Sequence, residues 1–365
     1  MNIRHLVRFA ALAALTASAL LAQTGELAEL ASEWKTANAS FRAATLALRN
    51  SEAFRRAQAA GDRRTLRRLV DAIPRPEASD YGRRALALAD RRQGDDALAV
   101  LTFVANHLYD KAVFAGMADR IERDHLGAAG LDAILENGIV LGNFLEPARS
   151  AALLTRIANE NEHPLPRAWA LYWQSMLILR DPAAGPAERE RAAALQARVT
   201  ELAPEGVLAD RVAAPAFERE HLQVGMVAPE IVGRDTEGRP LRLSEFRGRV
   251  VVLEFWGFWC GPCVAAVPAE QALVEKLAAR PFVLLGVDSD RDLDYYHFEA
   301  ETKHVTWRSF WCGEKGVIGA IPSKWNVTTW PRTYVLDHEG VIRFKDVRGK
   351  ALEEVLEPLL AAIER

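Results

Sequence analysis

Residues 255–263 read Phe-Trp-Gly-Phe-Trp-Cys-Gly-Pro-Cys, and this stretch decides the fold around it. An apolar run that ends in one acid, residues 250–254, leads into it, and a helical pattern over 264–280 follows. Together they predict a buried strand, a turn and a helix. The two residues between Cys260 and Cys263 allow one helical turn to bring both sulfurs within bonding distance.

Cys260 is predicted to lie at the N-terminus of that helix. Unpaired backbone N–H groups and the helix dipole favour a thiolate at this position. The thiolate is the reactive form of cysteine, so we identify Cys260 as the candidate nucleophile. Cys263, deeper in the helix, is then the candidate resolving thiol.

Several motifs beyond the cysteines resemble those of one family. Pro268, five residues after Cys263, is similar to the proline that bends this helix in thioredoxins. Residues 325–336 resemble the loop and strand that carry the family's cis-proline, and parts of 225–248 resemble the leading hairpin of TlpA-like proteins. Residues 222–365 are therefore similar to the thioredoxin superfamily, in its TlpA/ResA-like, AhpC/TSA-related branch of extracytoplasmic thiol–disulfide oxidoreductases.

This resemblance implies an α/β thioredoxin fold for residues 222–365, with a cis Trp330–Pro331 peptide whose proline faces the cysteines. It also implies a role for Glu254, which stands where thioredoxin has its buried aspartate. A central strand is covered on both faces, so a carboxyl group there holds its proton more tightly and can accept a proton from Cys263. The alternative is a half-exposed, merely polar residue at the end of the strand.

The resemblance also implies a substrate groove, formed by Trp259, Gly261, Pro262, Trp330 and Arg332. Arg332 follows the cis-proline where thioredoxin has threonine. It is predicted to bind an acidic substrate segment or to stabilise a thiolate, the alternative being a solvated side chain. ResA-type proteins carry a glutamate three residues after the second cysteine, but this chain has Ala266 there. Glu254 is then the expected source of the acid.

The Gly261-Pro262 pair favours the reducing direction. Strongly oxidising relatives have a histidine between the cysteines, whereas Gly-Pro resembles reducing thioredoxin, whose potential is about −270 mV. The expected substrates are protein disulfides. The resemblance implies a membrane thiol conduit of the DsbD/CcdA kind as electron donor, and no cofactor or metal.

The N-terminus is predicted to be a secretion signal. Three basic residues, Arg4, His5 and Arg8, precede an uncharged run over 9–22, which suits a signal peptide and is short for a membrane span. An uncleaved membrane anchor is the alternative. Residues 1–22 therefore predict an exported, periplasmic protein.

Residues 23–202 carry helical patterns separated by short breakers and hardly any strand signal. They predict an all-α domain of helical hairpins, either a bundle or a tetratricopeptide-like solenoid, although no signature residues repeat. Prolines and a glycine break the pattern and predict a linker at 203–221. A net charge of −3 and a pI near 6.3 give no case for nucleic-acid binding.

Three cysteines leave Cys312 without a partner in the predicted disulfide. It is an inert buried thiol, a third redox thiol, an intermolecular link or, least favoured, a zinc ligand with the other cysteines and His304. Two rival functions remain beside the oxidoreductase. A thiol peroxidase of AhpC/TSA type needs threonine or serine at the position of Gly257, and a non-enzymatic helical scaffold with a thioredoxin-like partner-binding domain would not reduce insulin.

Overall fold

The computed structural model describes residues 25–364, which divide into two compact units. The first unit ends at Leu202 and the second begins at Ala203. The predicted signal peptide, residues 1–22, lies outside the described residues. No helix of the described chain is both long enough and apolar enough to cross a membrane.

The first unit is built from helices, and its described residues contain no strand. The α-helices are α1 (Glu26–Arg49), α2 (Glu52–Ala59), α3 (Arg63–Asp71), α4 (Ala78–Ala89), α5 (Gly94–His107), α6 (Lys111–Arg120), α7 (Asp132–Leu135), α8 (Ile139–Phe144), α9 (Pro147–Glu160), α10 (Pro164–Arg180) and α11 (Pro186–Leu202). A π-helical turn, Ile121–His125, continues α6. The prediction of a helical region before the thioredoxin-like domain is confirmed, whereas a repeat architecture stays a prediction.

Local chemistry starts several of these helices. Ser51, Asp62 and Asp110 each accept a hydrogen bond from the backbone N–H group three residues ahead, which satisfies a donor that the helix leaves unpaired. Trp169 and Trp173 of α10 are both buried, and the Trp173 indole donates to the Leu135 carbonyl at 2.7 Å. These aromatic residues therefore belong to the core of the helical unit.

The described residues of the second unit contain seven strands and five α-helices. The elements are α12 (Val207–His221), β1 (Val232–Arg234), β2 (Pro240–Arg242), β3 (Val250–Trp256), α13 (Gly261–Lys276), β4 (Phe282–Asp288), α14 (Leu293–Thr302), β5 (Ser309–Trp311), α15 (Ala320–Lys324), β6 (Arg332–Leu336), β7 (Ile342–Lys345) and α16 (Gly349–Ile363). Strands β1 and β2 form a separate antiparallel hairpin. The other five strands form one mixed sheet in the order β5-β4-β3-β6-β7.

The central position in this sheet belongs to β3. It pairs in parallel with β4 and antiparallel with β6, and all seven of its residues are buried. Alternate side chains of a strand point to opposite faces. On one face Val250, Val252 and Trp256 pack with α13, α14 and α16. On the other face the remaining apolar residues pack with α12, α15 and the hairpin, as expected for a thioredoxin fold.

The linker prediction for residues 203–221 is wrong, because helix α12 occupies Val207–His221. Pro215 lies inside this helix and removes one backbone hydrogen bond, at a typical cost of ~3 kcal/mol. Burial of Leu208 and Ala214, and of Leu222 just after the helix, offsets that cost. Tertiary packing thus overrides the breaker signal that the sequence presents.

Replacing Gly286 in β4 tests the tight packing beside β3. A Cβ atom at Gly286 would lie 2.2 Å from Ser309 Oγ and 2.5 Å from the Trp256 indole nitrogen. We expect Gly286→Ala to lower the free energy of unfolding by about 1–3 kcal/mol, since overpacking forces neighbours to move. Urea denaturation of the full chain measures this loss.

The matched control is Gly233→Ala in β1. Its Cβ atom would make ordinary contacts with Phe310 at 3.4 Å and Ile321 at 3.7 Å. We expect a change within about 0.5 kcal/mol. Equal effects of the two substitutions would contradict the packing described for β4.

Candidate active site

The two cysteines of the Cys-Gly-Pro-Cys stretch are bonded to each other. Cys260 and Cys263 form a disulfide with an S–S distance of 2.08 Å and a Cα–Cα distance of 5.2 Å. Cys260 is the N-cap residue of α13, and its Sγ accepts a hydrogen bond from the Cys263 N–H group at 3.3 Å. The sulfur thus lies where the helix offers unpaired N–H donors, which is the arrangement that favours a thiolate after reduction.

The loop that links β3 to this helix is held against the end of β4. The Ser289 hydroxyl donates to the Trp256 carbonyl at 2.6 Å and accepts from the Trp259 indole at 3.1 Å. Gly257 is the residue that permits this packing, because a Cβ atom there would lie 2.5 Å from the same indole nitrogen. Trp259, the residue before Cys260, is therefore held in place by Ser289 at the end of β4.

The cis-proline loop lies next to the cysteine loop. The Trp330–Pro331 peptide is cis, and the Trp330 and Trp259 rings meet edge to face with centroids 5.6 Å apart. Trp259 is 49% exposed and Pro262 is exposed, whereas Trp330 is half-buried. Five predicted site residues are thus brought to one end of the sheet, namely Cys260, Trp259, Pro262, Trp330 and Pro331. Gly261 is exposed beside them.

Glu254 is buried at 2% exposure and projects from β3 toward the face that α13 covers. Its neighbour there is Glu270 of α13, and each glutamate has one buried carboxyl oxygen without a hydrogen-bond partner among the described residues. Burial raises the pKa of Glu254 well above its usual range, and the Glu270 carboxyl raises it further. Burial also raises the pKa of Glu270, to about 7. Two such carboxyl groups share a proton rather than ionise together.

Sequence reasoning missed Glu270, although one signal pointed to it. Glu270 lies four residues after Ala266, so it occupies the same helix face, one turn beyond the position where ResA-type proteins have glutamate. Arg348, which precedes α16, adds a positive charge to this group. Its guanidinium donates to the Pro331 carbonyl and favours the charged forms of both glutamates. The cis-proline loop and the carboxyl pair are thus linked through one cation.

Arg332, predicted to line the groove or else to be solvated, is instead engaged in an ion pair. Its side chain is 16% exposed and forms an ion pair with Glu218 of α12, with an N–O distance of 2.6 Å. Lys345 Nζ lies 2.9 Å from the same carboxylate, and Asn326 donates to it at 2.7 Å. Arg332 shares a sheet face with Tyr334, which packs toward α12, so the strand pleat directs it away from α13.

Cys312 lies just after β5 and is partly buried. Burial raises the pKa of its thiol well above the usual range, and the carboxyl groups of Asp288 and Asp290 add to that rise. The thiol is therefore held in its protonated, unreactive form. Within residues 25–364 no three histidine, cysteine, aspartate or glutamate side chains are grouped so that they could hold a metal ion.

Comparison with known proteins identifies the second unit. A model described as the AhpC/TSA family matches residues 224–345. The thiol-disulfide oxidoreductase ResA of Geobacillus thermodenitrificans is 30% identical over 148 residues, which are 40% of this chain and 82% of that protein. ResA of Bacillus cereus is 29% identical over 147 residues, again 40% and 82% of the two chains.

One of the solved structures that match this chain is a thiol-disulfide oxidoreductase from Bacteroides fragilis. It is 26% identical, covers 37% of this chain and 99% of its own, and gives a TM-score of 0.35. Because the chain matches most of the length of the Geobacillus protein at 30% identity, it belongs to the thioredoxin superfamily and, within it, to the ResA-like thiol–disulfide oxidoreductases.

Proposed function

We propose that this oxidoreductase is an exported reductase of protein disulfides that works through Cys260 and Cys263. The observation that carries the proposal is the disulfide at the N-terminus of α13, beside the cis-proline loop. A helix N-terminus stabilises the thiolate that reduction of this disulfide would release. An active-site disulfide in that position suits exchange with another disulfide.

The reaction has two exchange steps. The Cys260 thiolate attacks one sulfur of the substrate disulfide, so a mixed disulfide forms and the other substrate sulfur leaves as a thiolate. Cys263 then attacks the Cys260 sulfur, which releases the second substrate thiolate and regenerates the Cys260–Cys263 disulfide. The substrate gains two electrons, and protons from the enzyme or solvent neutralise its thiolates.

Glu254 and Glu270 are the proposed acceptors of the proton that Cys263 must lose before it attacks. Cys263 and Glu270 are seven residues apart on α13, so they lie on the same helix face, which is the face that Glu254 meets from β3. A carboxyl pair that shares one proton retains a basic site close to neutral pH. Arg348 supports the ionised state of that site.

The proposed substrate groove uses the residues around the cysteines that solvent can reach. Trp259 provides an exposed aromatic surface, and Gly261 and Pro262 leave the approach to Cys260 without large side chains. The half-buried Trp330 forms the opposite wall, and the buried cis-proline Pro331 follows it in the chain. Arg332 forms an ion pair with Glu218. It therefore gives the groove no preference for an acidic substrate segment.

The direction of the reaction, the location of the protein and its electron donor are inferred from the sequence. The Gly261-Pro262 pair supports a reducing potential, and the signal-like residues 1–22 support export to a periplasm. A reductase in an oxidising compartment needs electrons, for which a membrane thiol conduit of the DsbD/CcdA kind is the proposed donor. A thiol peroxidase of AhpC/TSA type is disfavoured, because the chain has Gly257 where such an enzyme needs threonine or serine.

Trapping with Cys263→Ser tests the enzyme and names its substrate. Without the resolving thiol the mixed disulfide on Cys260 cannot be released internally, so covalent adducts should accumulate and disappear on reduction. Mass spectrometry of adducts from the exported compartment measures this. Cys260→Ser is the control and should trap far less. Equal trapping by both variants, or adducts on Cys312, would show that the nucleophile is misassigned.

The redox potential tests the direction of the reaction. Equilibration of the full chain with glutathione or dithiothreitol buffers should give a value near the roughly −270 mV of thioredoxin. Insulin reduction by the dithiol form should accompany it, which a binding scaffold would not show. A potential above about −180 mV, in the range of disulfide isomerases, would contradict a reductase.

The carboxyl pair predicts a specific dependence of stability on pH. An unfolded glutamate has a pKa of about 4.3, whereas burial raises that of Glu270 to about 7. Between these values the folded state holds a proton that the unfolded state has lost, so stability falls as pH rises. In Glu270→Gln the free energy of unfolding should therefore fall less over this pH range, by up to about 3 kcal/mol.

Urea denaturation of the full chain at several pH values between about 4.5 and 7 measures the difference, since this range lies between the pKa of an unfolded glutamate and that of Glu270. Glu275→Gln, on the exposed side of the same helix, is the matched control and should leave the profile as in wild type. An unchanged profile in Glu270→Gln would remove the basis for the shared proton.

A further inference from the structure

A second carboxyl pair lies at the end of β4, apart from the one used above. Asp288 is fully buried and Asp290 is 2% exposed. The Asp288 carboxyl lies next to the Asp290 carboxyl, and apart from Asp290 neither of its oxygens has a hydrogen-bond partner among the described residues. Burial raises the pKa of both aspartates above the usual range, Asp288 more strongly. Two adjacent, buried carboxyl groups do not ionise together. The hydrogen bonds from the loop to Asp290 lower its pKa and so favour the charged form of that aspartate.

Asp290 bonds directly to the loop that presents the nucleophile. Its Oδ2 atom accepts a hydrogen bond from the Phe258 backbone N–H group at 2.7 Å, and the Trp259 N–H group interacts with the same carboxylate. These two residues immediately precede Cys260. Together with Ser289, which binds Trp256 and Trp259, the end of β4 fixes the loop from behind.

Three further ionisable groups interact with this pair, while Arg291, the next residue in the chain, donates through its Nε to the Glu314 carbonyl at 2.8 Å. Tyr296 and Glu299 project from α14, and Cys312 follows β5. Burial raises the pKa of Tyr296 to about 12, so it stays neutral, and the Cys312 thiol stays protonated. None of these three groups is a cation. None of the three therefore neutralises a negative charge on Asp290.

We propose that Asp290 is a positioning residue of the redox loop, which fixes the backbone before Cys260 and lowers the potential of the disulfide through its charge. A negative charge close to Cys260 disfavours the thiolate. A less stable thiolate makes the reduced form less stable, and this lowers the potential. The inference rests on the proposed redox role of Cys260 and Cys263. The charge of Asp290 would oppose the stabilisation of the thiolate by the helix N-terminus, and so would keep the potential low.

Two isosteric substitutions separate the charge from the shape. In Asp290→Asn the remaining Asp288 is deeply buried and takes up a proton, so the pair loses its charge while the side chain keeps an acceptor for Phe258. In Asp288→Asn the Asp290 carboxylate keeps both its charge and its bonds to the loop. Asp294→Asn, at an exposed position of α14, controls for loss of a negative charge in general.

The potential of each full-length variant is measured in glutathione or dithiothreitol buffers. Asp290→Asn should shift the dithiol–disulfide equilibrium about tenfold toward the reduced form, equivalent to a potential about 30 mV higher. Its reduced Cys260 should also react several-fold faster with iodoacetamide at pH 7, because more of it is thiolate. Asp288→Asn and Asp294→Asn should each change the equilibrium less than about twofold, well short of the tenfold that corresponds to 30 mV.

An unchanged potential in Asp290→Asn, or an equal shift in Asp288→Asn, overturns the role of Asp290. If Asp290→Asn does not fold, Asp290→Ser replaces it, since serine also offers an uncharged acceptor, and it carries the same expectation. A wild type without a reversible dithiol–disulfide couple would instead overturn the proposed function, and the inference with it. The two failures are therefore distinguishable.

Discussion

The complete burial of β3 is the constraint on which the site depends. This strand runs between β4 and β6 with apolar layers on both faces, so none of its side chains reaches water. The polar Glu254 is carried into this environment by the alternation of the strand. Burying a lone carboxylate there would cost several kcal/mol. A proton shared with Glu270 avoids that cost, because Glu254 then need not carry a full charge. The strand ends at Trp256, and the short loop after it places Cys260 at the N-terminus of α13.

Two carboxyl pairs therefore flank one disulfide. Glu254 and Glu270 lie on the side that Cys263 faces, while Asp288 and Asp290 lie behind the loop before Cys260. Each pair keeps a proton that an isolated carboxyl group would lose at neutral pH. Reduction of a disulfide needs protons as well as electrons, and this site contains bound protons on both sides of the sulfurs.

The sequence predicted those features whose signals are local. The strand, turn and helix around Cys260 follow from a run of about two dozen residues, and the cis-proline follows from a short motif. Glu270 could not be assigned in the same way, because its partner Glu254 is on another element. Arg332 was misplaced for a similar reason, since Glu218 lies 114 residues earlier in the chain. Aspartates at the end of a strand resemble ordinary turn residues until the loop that they bind is seen.

Helix α12 shows how far such long-range contacts extend the redox unit. The match to the family model begins at residue 224, after this helix has ended at His221. Yet the Glu218 carboxylate forms ion pairs with both Arg332 and Lys345, whose side chains are only 16% and 17% exposed. Leaving such cations unpaired is strongly destabilising. A segment moved onto another scaffold as a working module would therefore have to include α12, which lies before the segment that sequence similarity recognises.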